Sequence, residues 1–468
     1  MPAAVTARRP RLWPATTPGR IGAGFAAVVL AALLAAGVNL WAASQTADAI
    51  RTIGRDAEPS VVLALRIGAA LSDLDATAVE DALAGGMSAA GTSLRWREGK
   101  AALDGLVVQA SRNITYADET TAIQGLLRWA GEYHASLAEV RGAADPAHPF
   151  TATQRLQWSH RLLREFALLE ADALAAANRA PLNRAYDLFQ ARALGAEAAI
   201  IAAVLLLAAV LAGMQGFLTR RTRRMVNAPL AMATVLCAGL LTGLIVTTAW
   251  QREAIRAAKV DCYESLDALF AAKGAVAAMN AGLSLWLLDP ATRPAASKAL
   301  DTQAWVLLDL DWRNQAETAR FLAALQEGQE RERRGQPAAA LAAVPAKGGL
   351  LGKELANVTF GPAERDPASD SVRSLLAALR VADLVRDRGA PGQMTEALQL
   401  RERDGAPALA GLDGALDRTI AVNQAEFDRQ VGEATRLGTW VPPAVCAVLA
   451  LAGLLAAAGL WQRYREYA

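Results

Sequence analysis

Residues 21–43, 198–218, 228–250 and 438–461 carry no charged side chain and are predominantly apolar. Each is long enough to cross a hydrocarbon core of about 30 Å, for which about 20 helical residues suffice. Four transmembrane helices are therefore expected. A basic leader precedes the first run, as in a signal peptide, but its uninterrupted length favours a retained helix.

Between the runs the apolar positions recur with helical spacing and nowhere alternate as in a strand. Ile67, Leu71, Leu74, Ala78 and Ala82 form one stripe. Leu126, Trp129, Tyr133, Leu137 and Val140 form a second, and Trp158, Leu162, Phe166 and Leu169 a third. Breaks fall at Gly85, Gly86 and Gly91, at Asn113 to Tyr116, and at Asp145-Pro146-Ala147-His148-Pro149. Residues 44–197 are thus expected as one helical bundle of about four helices. Residues 251–437 follow the same outline, with a first helix stopped by Asp289-Pro290. Residues 335–349 and 361–370 read as surface loops, and residues 371–388 and 414–436 as later helices.

Arginine placement orients the scheme. Arg8, Arg9, Arg11 and Arg20 precede the first run; Arg220, Arg221, Arg223 and Arg224 fill the link between the second and third; Arg463 and Arg465 follow the fourth. The positive-inside rule puts all three clusters in the cytoplasm, and an even number of spans satisfies them together. Trp41, Trp250, Trp440 and Trp461 lie at run ends, where amphipathic rings favour the headgroup level. The expected fold class is an all-α membrane protein of four transmembrane helices with two extracytoplasmic helical-bundle domains, a tandem repeat of span, bundle, span. Its parts are a basic N-terminus at 1–20, spans at 21–43, 198–218, 228–250 and 438–461, bundles at 44–197 and 251–437, an arginine-rich hairpin at 219–227 and a tail at 462–468.

Composition agrees: 53% hydrophobic with 20% charged residues suits a chain partly in lipid and partly in water. The net charge of +2 hides basic inner rims and mixed-charge outer domains, and implies no nucleic acid. Of three cysteines only Cys262 lies outside a span, so no intrachain disulfide is expected and Cys262 reads as a buried thiol. Pro442 and Pro443 fall in the first turn of the fourth span, where proline is tolerated.

No catalytic, cofactor or metal site is expected. His134, His148 and His160 are too dispersed for a local metal motif, and no nucleophile elbow, phosphate-binding loop or kinase signature occurs. His134 flanks the second stripe and titrates near neutrality if exposed. Spans without ionisable groups at mid-depth also argue against a carrier. Arg95, Arg97 and Arg112, close to Trp96, are candidate contacts for a carboxylate ligand. Arg220, Arg221, Arg223 and Arg224 are candidate contacts for an acidic cytoplasmic partner or anionic lipid. Asn113-Ile114-Thr115 and Asn357-Val358-Thr359 fit the glycosylation triplet at a level that chance supplies.

The span, bundle, span unit resembles the sensing part of bacterial chemoreceptors and histidine kinases, without their cytoplasmic signalling domains. The duplicated layout, the junction from Arg220 to Pro229 and the segment Leu71-Ser72-Asp73-Leu74-Asp75-Ala76-Thr77-Ala78 are similar to the GlnX-like membrane proteins of actinobacteria. That resemblance implies relay of amino-acid availability, sensed by an extracytoplasmic solute-binding lipoprotein, to a soluble cytoplasmic Ser/Thr protein kinase. A homodimer is compatible with it. No counterpart of Gly85-Gly86 follows Leu285-Trp286-Leu287-Leu288. A non-enzymatic transmembrane signal transducer is the expected function; an envelope or secretion scaffold and a small transporter subunit are the rival readings.

Overall fold

The computed structural model of the protein describes residues 16–84, 94–142, 149–222, 227–389 and 393–467. Arg8, Arg9, Arg11, Gly85, Gly86, Gly91, the Asp145 to His148 break, Arg223 and Arg224 lie outside the described residues. Among the described residues the chain is helical throughout, with no strand. The α-helices are α1 Thr17–Arg51, α2 Glu58–Leu83, α3 Leu94–Arg112, α4 Ala117–Gly142, α5 Pro149–Leu162, α6 Leu168–Thr222, α7 Ala228–Arg256 and α8 Glu264–Leu288. They continue with α9 Arg293–Leu307, α10 Gln315–Arg333, α11 Pro337–Ala343, α12 Leu350–Ala356, α13 Pro362–Arg388, α14 Met394–Leu400 and α15 Ala406–Tyr467.

Four helical stretches are long and apolar enough to cross a membrane: Thr17–Leu83, Ala152–Arg221, Ala228–Leu288 and Met394–Glu466. This is the pattern of a multi-pass membrane protein. None of the four is a bare span, because each carries on into a less apolar segment without a break in the helix. Within them, π-helical turns occupy Thr52–Ala57, Leu163–Ala167, Ala257–Tyr263 and Arg401–Gly405. Two follow the first and third apolar runs and two precede the second and fourth, so the halves share this feature in the same order.

The chain divides into two compact units. The first comprises Met1–Arg51, Ala185–Ile255 and Gln430–Ala468. Its core is built from Ile21, Val28, Ala35, Leu207, Leu211, Leu230, Ala233, Leu449 and Ala456. Large apolar side chains also face outward, including Leu30 at 66%, Val235 at 66% and Leu454 at 68% exposure, a surface suited to lipid. Two buried asparagines in this unit are satisfied by backbone. Asn39 donates through Nδ2 to the carbonyl of Pro442 at 3.0 Å. Asn227 donates to the carbonyl of Gly459 at 3.0 Å, and a Cβ on Gly459 would lie 2.7 Å from Asn227 Oδ1. Pro442 and Pro443 do not open a helix as expected: they lie deep inside α15, because the helix begins at Ala406 and runs through the boundary of the apolar run.

The second unit comprises Thr52–Arg184 and Arg256–Arg429. Segments expected as two bundles here supply one body with interlocking cores. Val62 joins the core of the later segment, and Ala277, Ala281 and Leu285 join that of the earlier one. α2 packs along α8 at their centre.

Two of the three expected stripes are buried faces: Ile67, Leu71, Leu74 and Ala78, and Leu126, Tyr133, Leu137 and Val140. The third is not one buried face: Leu162 is buried, but Trp158, Phe166 and Leu169 are exposed at 52%, 38% and 60%. The π-helical turn at Leu163–Ala167 inserts a residue into the repeat and shifts the buried face to Leu156, Leu163, Ala167, Ala171 and Leu174. Phe166 instead stacks on Trp129 with centroids 4.4 Å apart. In the later segment α8 ends at Leu288 as expected, and Asp289 Oδ1 accepts from the amide of Ala291 at 2.9 Å. Residues 361–370 are not a surface loop. α13 starts at Pro362 and buries Glu364, Arg365, Pro367, Ala368 and Ser369. Residues 335–349 include the short helix α11.

The repeat shows at residue level in the two Asn-x-Thr triplets. Asn113 Nδ2 donates to Ser60 Oγ at 2.9 Å, and Asn357 Nδ2 to Ser265 Oγ at 2.9 Å. Glu119 accepts the amides of Thr115 and Tyr116 at 2.6 and 3.2 Å, and Glu364 those of Thr359 and Phe360 at 2.9 and 3.0 Å. Asp56 and Ser60 recur, at the same spacing, as Asp261 and Ser265. Each triplet therefore ties a turn to the helix that follows a π-helical turn.

Candidate functional site

Small residues let α2 and α8 approach closely. A Cβ on Gly274 of α8 would lie 3.7 Å from Ser72 Oγ of α2, and Ala69, Ala70 and Ala277 line the opening beside this contact. Beside this pair, α3 and the first turns of α15 complete a groove of about 720 Å³. Its charges come from four helices: Arg66, Asp73 and Glu80 of α2, Arg95 of α3, Lys273 of α8, and Asp413 and Asp417 of α15. Arg66, Asp73 and Glu80 are seven residues apart along α2, two turns each, and so form one stripe. Phe270, Val276, Leu409 and Ile420 supply apolar wall between the charges.

Six of the seven charged groups are held in two networks, one through Glu80 and one through Lys273. Arg95 reaches Asp73 at 3.0 Å and Glu80 at 3.2 Å. Lys273 reaches Asp413 at 3.0 Å and Asp417 at 2.5 Å. Arg401, in the π-helical turn before α15, donates to Glu80 at 2.9 Å, Ser284 Oγ at 2.7 Å and Asn280 Oδ1 at 3.2 Å. Asn280 Nδ2 in turn donates to Glu80 at 2.8 Å.

Burial raises the Asp73 carboxyl above its ordinary range, Arg95 opposes the shift, and Asp413 adds to it. Asp73 and Asp413 thus feel one another's charge within the groove. Burial would lower the Lys273 ammonium, but Asp417 and Asp413 outweigh it and hold it above the usual range. With Asp73, Asp413 and Asp417 each more than half exposed, the groove can offer both signs of charge to a small polar molecule without breaking its buried anchors. Among the described residues no group of three or more His, Cys, Asp or Glu side chains is placed to hold a metal ion.

Of the three arginines expected to contact a ligand, the structure places Arg95 in the groove. Arg97 and Arg112 are exposed on α3 and do not line it. Arg220 and Arg221 are at the end of α6, with Arg221 exposed. His134 packs against Trp96 and Tyr133 with ring centroids 6.0 and 5.9 Å away. His160 is the histidine in a polar cluster: its Nδ1 lies 2.6 Å from Asp75 Oδ2, and Tyr133 donates to Asp75 Oδ1 at 3.3 Å. Cys262 is buried and free.

The remaining groove residues went unread in sequence because they belong to helices far apart along the chain. The seven-residue spacing of Arg66, Asp73 and Glu80 on a helix otherwise rich in Ala, Val and Leu was the available signal.

Residues 49–187 match the family model of an actinobacterial sensor domain. The match takes in Arg66, Asp73, Glu80 and Arg95, and supports a signal-sensing role for this part of the chain. No curated protein and no solved structure matched the chain.

Proposed function

We propose that the protein is a non-enzymatic transmembrane signal transducer whose sensing site is the groove between α2, α3, α8 and α15. The observation that carries this reading is that three of the four groove-forming helices are parts of the stretches that reach into apolar segments unbroken. α2 belongs to Thr17–Leu83, α8 to Ala228–Leu288 and α15 to Met394–Glu466. A ligand, or a ligand-loaded partner, that bridges Asp73 or Arg95 to Lys273 or Asp413 favours one arrangement of these helices over another. A difference in affinity between the two arrangements is all that a signal requires. The shift would travel as a slide or rotation of continuous helices.

In this reading the second unit faces the extracytoplasmic side, and Arg220 and Arg221 belong to the cytoplasmic output surface. The resemblance drawn from the sequence supplies the partners: a solute-binding lipoprotein outside, reporting amino-acid availability, and a soluble Ser/Thr protein kinase inside.

Two experiments test it. Purified full-length protein is screened by thermal shift against small charged metabolites, alone and with lipoproteins from the same cells. A stabilising molecule should lose at least tenfold in affinity in Lys273→Met, about 1.4 kcal/mol. Undiminished binding would remove the groove from the proposal. Affinity purification from membranes should recover a kinase that is lost with Arg220→Glu/Arg221→Glu; recovery unaffected by those changes would remove the arginine surface.

A further inference from the structure

A second polar locus of the second unit lies apart from the groove, where α12, α13, the π-helical turn Ala257–Tyr263 and α15 meet. We propose that Glu354 and Glu364 form a buried proton-binding site, in which one proton shared by the two carboxyls fastens α15 to α12 and α13.

The argument starts from a count of donors and acceptors. Glu354 and Glu364 are 1% and 0% exposed, and Asn423 of α15 is fully buried with them. Asn423 Nδ2 donates to Glu364 Oε1 at 3.0 Å and to the Thr419 carbonyl at 3.1 Å, and its two hydrogens leave only a shared, longer contact to Glu354 Oε1 at 3.4 Å. Glu364 Oε2 is satisfied by the amides of Thr359 and Phe360. Glu354 Oε2 and Asn423 Oδ1 remain buried acceptors without a donor. A buried polar atom without a partner costs about 1–3 kcal/mol. An ionised carboxylate is an acceptor only, whereas a protonated one supplies a donor. One proton on the pair provides the donor that the locus lacks.

Charge leads to the same conclusion. Burial raises the Glu354 carboxyl and Glu364 beside it raises it further, outweighing the opposing hydrogen bonds of Ser265 and Asn423. Burial likewise raises Glu364, against the pull of the Phe360 and Thr359 amides. Lys353 of α12 is exposed, and the other cations nearest the locus are engaged with other carboxylates. From α13, Arg365 pairs with Glu332 at 2.8 Å. From the π-helical turn and the helix preceding it, Lys259 pairs with Glu264 and Arg256 with Asp261, both at 2.9 Å. From α15, Arg429 pairs with Glu426. Cys262, facing the locus from the π-helical turn, is itself pushed up by burial and by the carboxylates of Glu426, Asp261 and Glu364, and so stays a thiol. Two adjacent carboxyls in such a place cannot both ionise cheaply.

The first half of the chain shows what is added. There Glu119 takes the two turn amides as Glu364 does, with no second carboxyl among its partners in the described residues. The lone carboxylate suffices to cap the helix, so Glu354 and Asn423 are not needed for capping. Loss of the proton would place two negative charges side by side and loosen the contact through Asn423 to α15, which continues into the fourth apolar run. The site does not depend on the groove or on any ligand there.

The sign of the pH effect follows. The folded pair binds its proton more tightly than the unfolded chain, whose glutamates titrate near 4.5. Its penalty is absent below that value and grows as pH rises through the neutral range.

The test is infrared difference spectroscopy of full-length protein in detergent between about pH 5 and about pH 9. A Glu58→Gln background is used, because Glu58 is another buried carboxyl, pushed up to about 7 by burial. A protonated-carboxyl band should persist at neutral pH, titrate away at higher pH and disappear in Glu58→Gln/Glu354→Gln. The melting temperature of that double variant should fall less with rising pH than that of Glu58→Gln. Absence of a protonated carboxyl at neutral pH in Glu58→Gln overturns the proposal, whether or not the double variant folds. So does a band that Glu354→Gln leaves unchanged.

Discussion

Asn357 donates to the carbonyls of Val260 and Asp261 at 3.3 and 2.9 Å and to Ser265 Oγ, so it fastens a turn to a stretch of helix whose regular pairing is interrupted. Asn357→Ala would strand those acceptors and is expected to cost about 2 kcal/mol. Asn113→Ala, with its bond to Ser60, should cost about half of that. Chemical denaturation in detergent measures both; equal and negligible effects would deny the triplets their structural role. Gly349 has φ +81°, and a Cβ there would lie 2.8 Å from the carbonyl of Leu307. Gly349→Ala is therefore expected to destabilise by about 1–3 kcal/mol, read in the same assay. Glu58 carries a pH dependence of its own. Its folded-state carboxyl, raised to about 7 from 4.5, penalises folding increasingly as pH rises between those values. Glu58→Gln should raise stability at pH 8 by up to about 3 kcal/mol and leave it nearly unchanged at pH 4.

The helices were legible in the sequence wherever their apolar period ran undisturbed. Ile67 to Ala78 and Leu126 to Val140 are buried as their spacing implies, and Asp289-Pro290 ends a helix as its chemistry dictates. The stripe from Trp158 to Leu169 was misleading because a π-helical turn changes the period in its middle, and no residue type announces such a turn. Deletion of Arg164 tests the point. Removing the one inserted residue restores a regular helix whose flanking faces stay in register, so Leu156 and Leu163 remain on the face of Ala171 and Leu174 and stability should change by less than about 1 kcal/mol. A loss of about 2–5 kcal/mol, the cost of unburying such side chains, would show that the turn is not a one-residue insertion. Residues 361–370 misled for a different reason. Gly361, Pro362 and Pro367 look like loop chemistry, but Gly361 at φ +75° precedes the helix and Pro362 occupies its first turn, where a missing amide costs nothing.

At the scale of the molecule, the four apolar runs were legible because bilayer thickness imposes a length that no local accident mimics. The merging of the segments between them into one unit was not, because it rests on α2 packing against α8 through small residues such as Gly274 against Ser72 and Ala277 and Ala281 in the earlier segment's core, and small residues carry no signal of what they face. The groove was legible only at Arg95 for the same reason: its other charges are scattered over three helices and acquire meaning only when those helices pack. The relay reading depends on which side of the membrane the second unit occupies. In a background with Cys237, Cys262 and Cys446 replaced, single cysteines at Arg128, Arg403 and Arg221 report that side through a membrane-impermeant maleimide. The account predicts that Arg128→Cys and Arg403→Cys label in intact cells while Arg221→Cys labels only after permeabilisation; labelling of Arg221→Cys alone in intact cells would contradict it.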